Sequence, residues 1–299
     1  MKLAFSTIGC PNWSYDEVVS TASDLGYDGF EVRGIGGEIY APDVKQFKPE
    51  NIEKTKEKLK SLGLGITMLT SGASLAVYSE KEKAVAEAKA YIDLAESLGV
   101  PYIRVMCTNR PMPDGGDIQL CKRLYKEILS YASDKNVLPL IETNGIFCDT
   151  KLLRDFVEEC DGGVLWDINH PYRFNGESID TTLKNLGGRI CYVHIKDSVV
   201  QNGVTKYKML GYGDIPVKDA LRGLKKAGYD GTVSLEWVKR WEPDLEEPGI
   251  VFSQFISTIK RYLKQLYKSE TKIAPIGAIF LCNATRFPHI MIKTRRAYE

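Results

Sequence analysis

The chain has 299 residues, 43% of them apolar and 26% charged, which excludes a disordered or fibrous polymer and suffices for one large barrel or about two average domains. Forty lysines and arginines offset thirty-nine aspartates and glutamates, leaving a formal charge of +1, so no chain-wide attraction to nucleic acid or to an anionic membrane is expected. Seven cysteines lie scattered without a C-x-x-C pair, and no apolar run approaches the roughly 18 residues of a membrane span; reduced thiols, a cytoplasmic location and a small-molecule partner are the expectation.

Taken in chain order, short apolar runs predict strands at residues 2–6, 28–33, 65–69, 102–107, 137–142, 163–167, 190–195 and 232–236. Amphipathic stretches between them predict helices near 14–25, 50–62, 80–98, 117–135, 150–160, 178–187 and 216–227, and another near 249–268 follows the last strand. Ser14-Tyr15-Asp16-Glu17 opens the first helix as a capping box. Leu25-Gly26, Leu62-Gly63, Leu98-Gly99, Leu186-Gly187 and Ala227-Gly228 read as helix ends, where glycine supplies a left-handed residue. Gly26-Tyr27-Asp28-Gly29 recurs as Gly228-Tyr229-Asp230-Gly231, each time leading into a strand that carries a Glu. Eight strand-helix units predict a closed (β/α)8 TIM barrel over residues 1–268, an α/β fold with a parallel eight-stranded sheet. An open doubly wound sheet is the alternative, but no G-x-G-x-x-G follows the first strand. Residues 269–299 break the rhythm and form a C-terminal extension without evident chemistry.

Active sites of such barrels lie at the C-terminal mouth, so a polar residue that ends an apolar strand is a candidate. Strands five to eight end in Glu142, Asp167, His194 and Glu236. Any one of them has a structural explanation, as a cap, an ion-pair partner or a core histidine. Three carboxylates and an imidazole converging on one mouth would repel one another without a cation, and a divalent ion resolves that conflict. The mainly oxygen set suits one Mn²⁺ or Mg²⁺, with Co²⁺ or Zn²⁺ as the other options.

At these positions the sequence resembles the xylose isomerase-like TIM barrel superfamily, in its sugar phosphate isomerase/epimerase branch. The matching motifs are Ile141-Glu142-Thr143-Asn144, Trp166-Asp167-Ile168-Asn169-His170, Val193-His194-Ile195-Lys196-Asp197, Gly211-Tyr212-Gly213-Asp214 and Gly228-Tyr229-Asp230-Gly231 leading to Leu235-Glu236, and the likeness spans about residues 1–265. The resemblance implies that Glu142, Asp167, His194 and Glu236 hold one divalent metal, that His170 and Lys196 face the substrate, and that Glu142 and Glu236 exchange the proton of a metal-stabilised enediolate. It implies a sugar isomerase or epimerase, as a homodimer or homotetramer, with no nucleic acid or membrane partner.

Further candidates for substrate contact are Glu31 and Arg33 at the end of strand two, which could equally pair with each other, and Arg104 and Arg110 around strand four. Trp13, Trp237 and Trp241 follow strands one and eight, where indole faces could stack on a sugar. Asp197 could orient His194 or cap the following turn. Rival readings are a dehydratase or other lyase on the same metal barrel, an apurinic endonuclease-like enzyme, and a non-catalytic sugar-binding subunit. Three histidines in all, together with the neutral charge, count against the nuclease.

Overall fold

A computed structural model describes residues 1–270 of the chain; the extension from 271 onward lies outside the described residues. Eight parallel strands follow the predicted runs closely: β1 (Lys2–Ser6), β2 (Gly29–Val32), β3 (Gly65–Ser74), β4 (Tyr102–Met106), β5 (Leu138–Glu142), β6 (Gly163–Asp167), β7 (Ile190–Ile195) and, after a hairpin of β8 (Asp197–Gln201) and β9 (Val204–Lys208), β10 (Thr232–Leu235). They close in the order β1-β10-β7-β6-β5-β4-β3-β2, each parallel to its neighbours. The fold is a (β/α)8 TIM barrel, as the alternation of elements predicts. Among the described residues no helix is long and apolar enough to cross a membrane.

The outer ring holds α1 (Tyr15–Asp24), α2 (Ile52–Ser61), α3 (Lys81–Leu98), α4 (Ile118–Ala132), α5 (Thr150–Cys160), α7 (Ile179–Leu186), α8 (Val217–Lys226) and α9 (Pro248–Glu270); a short α6 (Asn169–Phe174) follows β6. The capping box at Ser14 forms as expected, with the Ser14 N–H donating to Glu17 Oε2 at 2.7 Å and the Glu17 N–H to Ser14 Oγ at 3.3 Å. Gly26, Gly63, Gly99 and Gly228 are left-handed, with φ between 66° and 74°. Gly187 differs from the expectation: its φ is −38°, because α7 runs on into a 3-10 turn that reverses the chain without a left-handed residue.

Strand parity decides which side chains face the barrel axis, since residues two apart share a face. A small interior cluster of Met68, Leu138, Leu140, Leu165 and Tyr192 fills the barrel, while Phe5, Phe30, Trp166, Val193 and Leu235 pack outward against the helices. Each interior row changes character as it climbs toward the C-terminal mouth. Leu138 and Leu140 give way to Glu142, Leu165 to Asp167, and Tyr192 to His194 and then Lys196. An apolar plug below and an ionisable layer above follow from the alternation along single strands.

The glycine that ends the first repeated Gly-Tyr-Asp-Gly motif has a steric reason. A Cβ on Gly29 would overlap the carbonyl oxygen of Gly65 on the adjacent strand, whereas a Cβ on Gly65 meets nothing within 4 Å. Gly29→Ala is therefore expected to destabilise the barrel by about 3 kcal/mol, the upper range for overpacking. Gly65→Ala should be neutral or slightly stabilising. Urea unfolding midpoints of the two variants test the contrast, and equal midpoints would refute it.

Candidate active site

The four strand-end residues meet. One ligand-type atom from each of Glu142, Asp167, His194 and Glu236 lies within 4.8 Å of the others, and all four residues are buried. That spread is close to the about 4.2 Å separating opposite donors of an ion bound at about 2.1 Å. His194 Nδ1 stands 3.6 Å from both Glu142 Oε1 and Glu236 Oε1 and makes no hydrogen bond. Asp167 Oδ2 is buried beside the Lys196 ammonium, 2.9 Å away, while Asp167 Oδ1 accepts the Asn169 N–H at 2.8 Å. A buried ring nitrogen left without a hydrogen bond among carboxylates is costly unless something fills the space between them. The donor set fits a divalent cation in charge and ligand type.

The other face of the imidazole shows how the orientation is set. His194 Nε2 lies 2.8 Å from Glu31 Oε2, and Thr70 Oγ1 donates to Glu31 Oε1 at 2.7 Å. With Nε2–H donated to Glu31, Nδ1 is the ring nitrogen aimed into the cluster, the arrangement in which an outer carboxylate fixes a metal-binding histidine. Glu31 is fully buried beneath the cavity floor. It pairs with His194 rather than with Arg33 and does not reach the cavity wall, which corrects its assignment as a substrate contact.

Two cations hold the carboxylates together. Arg104 Nη1 donates to Glu142 Oε2 at 3.1 Å and stands 3.8 Å from Glu236 Oε1; its Nη2 donates to the Ser71 carbonyl at 2.8 Å. Lys196 Nζ lies 2.9 Å from Asp167 Oδ2 and is ion-paired with Glu236 Oε2. Burial favours neutral carboxyls, but Arg104 and His194 outweigh it and push Glu142 down to about 2. Glu236 is held below the usual carboxylate range against its burial, chiefly by Lys196 and His194. Both are ionised at neutral pH.

His170, at the start of α6, faces the Thr143 carbonyl through Nδ1 at 3.1 Å. Donation there assigns the proton to Nδ1 and leaves Nε2 as an acceptor, 3.3 Å from Lys196 Nζ. Burial pushes the imidazole down, toward its neutral form. Asp197 does not touch His194. Its carboxylate accepts backbone N–H groups from Ser198, Gly211, Gly213 and Ile215 at 2.8–3.2 Å, and a Cβ on Gly213 would overlap it. The Gly211-Tyr212-Gly213-Asp214 motif is thus a cradle that ties the loop before α8 to the start of β8.

Above the cluster opens a cavity of about 470 Å³, in the range of small-molecule sites. Glu142, Glu236, His170, Lys196, Arg33 and Arg104 line its polar side; Met106, Tyr207, Val238 and Trp241 its apolar side. Two of the expected indoles lie elsewhere. Trp13 packs edge-on against Phe252, at 5.5 Å between ring centroids, and Trp237 is buried with Nε1 donating to the Glu246 carbonyl. Both serve the interface between barrel and helices, and Trp241, 56% exposed, is the one at the cavity. Arg110 is exposed and does not line it. Tyr207 was not among the sequence candidates. It arrives on the β8–β9 hairpin, whose Asn202-Gly203 turn has φ of 52° and 75°, the two-residue hairpin signal that the sequence carries openly.

Fold and cluster together define a (β/α)8 barrel whose mouth carries a buried set of carboxylate and imidazole side chains able to hold a metal ion. Residues 19–252 match the family model described as xylose isomerase-like TIM barrel, and the chain belongs to that family. A fructoselysine 3-epimerase of Shigella flexneri is 22% identical over 280 residues, covering 89% of this chain and 99% of that protein. The fold is also that of the D-psicose 3-epimerase of Clostridium cellulolyticum H10, solved with D-tagatose, at TM-score 0.67 and 18% identity over 88% of this chain and 99% of that one. The IOLI protein, solved with a zinc atom, superposes at TM-score 0.70 and 18% identity, over 90% of this chain and 99% of that one.

Proposed function

We propose that the chain is a divalent-metal-dependent sugar isomerase or epimerase, with Mn²⁺ or Mg²⁺ as the ion and Glu142 and Glu236 as its acid/base pair. The observation that carries this reading is the unpartnered His194 Nδ1, buried and facing two ionised glutamates at 3.6 Å. The epimerase names of the relatives support the same chemistry.

Glu142, Asp167, His194 and Glu236 would hold the ion. When bound, it supplies Lewis-acid polarisation of a sugar carbonyl, which acidifies the neighbouring C–H bond. Glu142 and Glu236 are cavity-lining carboxylates kept charged by Arg104 and Lys196, so either can accept that proton. If one takes it and the other returns it on the opposite face, the carbon is epimerised; if one glutamate carries it to the next carbon, an aldose and a ketose interconvert. Lys196 presents N–H donors and His170 an acceptor nitrogen to the same wall, suited to hydroxyl groups. Glu31 holds His194 through Nε2, so that Nδ1 is the nitrogen that gives up its proton when an ion takes its place.

Protein purified without chelator is expected to carry one divalent ion per chain by elemental analysis, and His194→Ala is expected to retain none. Metal-free wild-type protein that stays metal-free after dialysis against Mn²⁺ and Mg²⁺ would sink the assignment.

A further inference from the structure

Arg33 stands two residues beyond Glu31, on the same face of the β2 strand direction and one step nearer the mouth. Its side chain lines the cavity, yet its guanidinium makes no hydrogen bond or ion pair with any described residue. Only its backbone N–H is used, donating to Thr7 Oγ1 at 2.8 Å. Gly72 makes the room: a Cβ there would stand 3.3 Å from Arg33 Nη2 and 3.2 Å from Glu87 Oε1. The Glu87 carboxylate accepts the Gly72 N–H at 2.6 Å and acts on Arg33 from beyond ion-pair distance. Burial and the neighbouring Arg104 work against the Arg33 charge and outweigh the support it draws from Tyr91 and Glu87.

The charges of the floor balance without it. Glu31, Glu142, Asp167 and Glu236 are answered by Arg104, Lys196 and a divalent ion. Arg33 faces Glu87 only at a distance, and its planar fork of donors is left unbonded and open to the cavity. Such a fork matches the paired oxygens of a carboxylate or phosphate, and an occupant of that kind would relieve the cost of leaving the donors unpaired. Glu242, also on the wall, acts on Tyr207 and does not pair with Arg33.

We infer that Arg33 is an anion subsite of this cavity, and that the sugar carries a carboxylate or phosphate group which Arg33 binds while the reacting carbons sit over the glutamates. The inference rests on reading the cavity as a sugar site. Calorimetric titration of the full chain, purified without chelator, with D-fructose, D-fructose 6-phosphate and 5-keto-D-gluconate tests it. One of the two anionic sugars is expected to bind about 10- to 100-fold more tightly than fructose, the range of one charge-assisted hydrogen bond. Preference for the phosphate or for the acid tells the two sources apart. In Arg33→Met and Arg33→Gln that ratio is expected to collapse toward unity, with Arg33→Lys keeping part of it. Three equal affinities in the wild type, including three too weak to measure, would overturn the subsite, as would a preference that survives both substitutions. Hydrogen exchange from D2O into the sugar, followed by NMR, separates the two readings. Exchange without anion preference removes the subsite alone; Arg33-dependent binding without exchange on any of the three sugars keeps the subsite and removes the isomerase.

Discussion

Replacing Glu142 or Glu236 by Gln is expected to lower kcat by about 10²–10⁴-fold, the usual contribution of a general acid or base, with a much smaller change in KM. Glutamine keeps the length and one carbonyl oxygen of the side chain but cannot accept a proton at neutral pH. Arg104 and Lys196 hold both carboxylates ionised, and the same cations make them weak bases, with Glu142 down near 2. The proposed proton transfer therefore depends on a strongly polarised substrate, and the glutamates contribute position more than basicity. Deuterium incorporation from D2O into the cognate sugar reads the step directly, and metal content measured on the same samples separates loss of a base from loss of a ligand. Full activity in both variants would eliminate the two-glutamate assignment. Exchange that survives in only one of them, without inversion of the carbon, identifies the glutamate that works from the retained face.

How much of this was legible in the sequence follows from strand parity. The eight strands announced themselves because parallel strands buried on both faces read as short apolar runs, and the quartet because each of its members breaks such a run at its end. The same parity points to Arg33 and Lys196, which stand two residues beyond Glu31 and His194, and to Arg104 within β4. Chain position carries no such information for the indoles. Trp13 and Trp237 follow strands at the mouth as Trp241 does, but local turns lay Trp13 half-buried against the core, bury Trp237 and leave Trp241 at the rim. Glu31 was found as a polar strand end, yet its role depends on a partner 163 residues away, which no local pattern encodes. The hairpin that brings Tyr207 to the cavity is marked in the sequence by its Asn202-Gly203 turn, a weaker pattern than the strand-helix rhythm around it.

Lys196→Met should separate the two ways in which this acidic floor is held together. In the wild type the ammonium sits against Asp167 and Glu236 in a fully buried position, and its protonated form is favoured by both carboxylates against the cost of burial. Methionine fills a similar volume but leaves those carboxylates facing each other with only Arg104 and a protonated His194 to oppose them. Breaking one side of a buried ion-pair network costs about 3–5 kcal/mol, so the variant in chelator is expected to unfold well below the wild type. A divalent ion and the proton on His194 Nδ1 compete for one lone pair, and exchanging the proton for the ion adds positive charge where the variant lacks it most. The rise in Tm on adding Mn²⁺ should consequently be larger for Lys196→Met than for the wild type, even though the variant stays less active. An equal or smaller rise would mean that the lysine, and not an ion, is the resident counter-charge of the cluster, and the proposed metal centre would lose its electrostatic rationale.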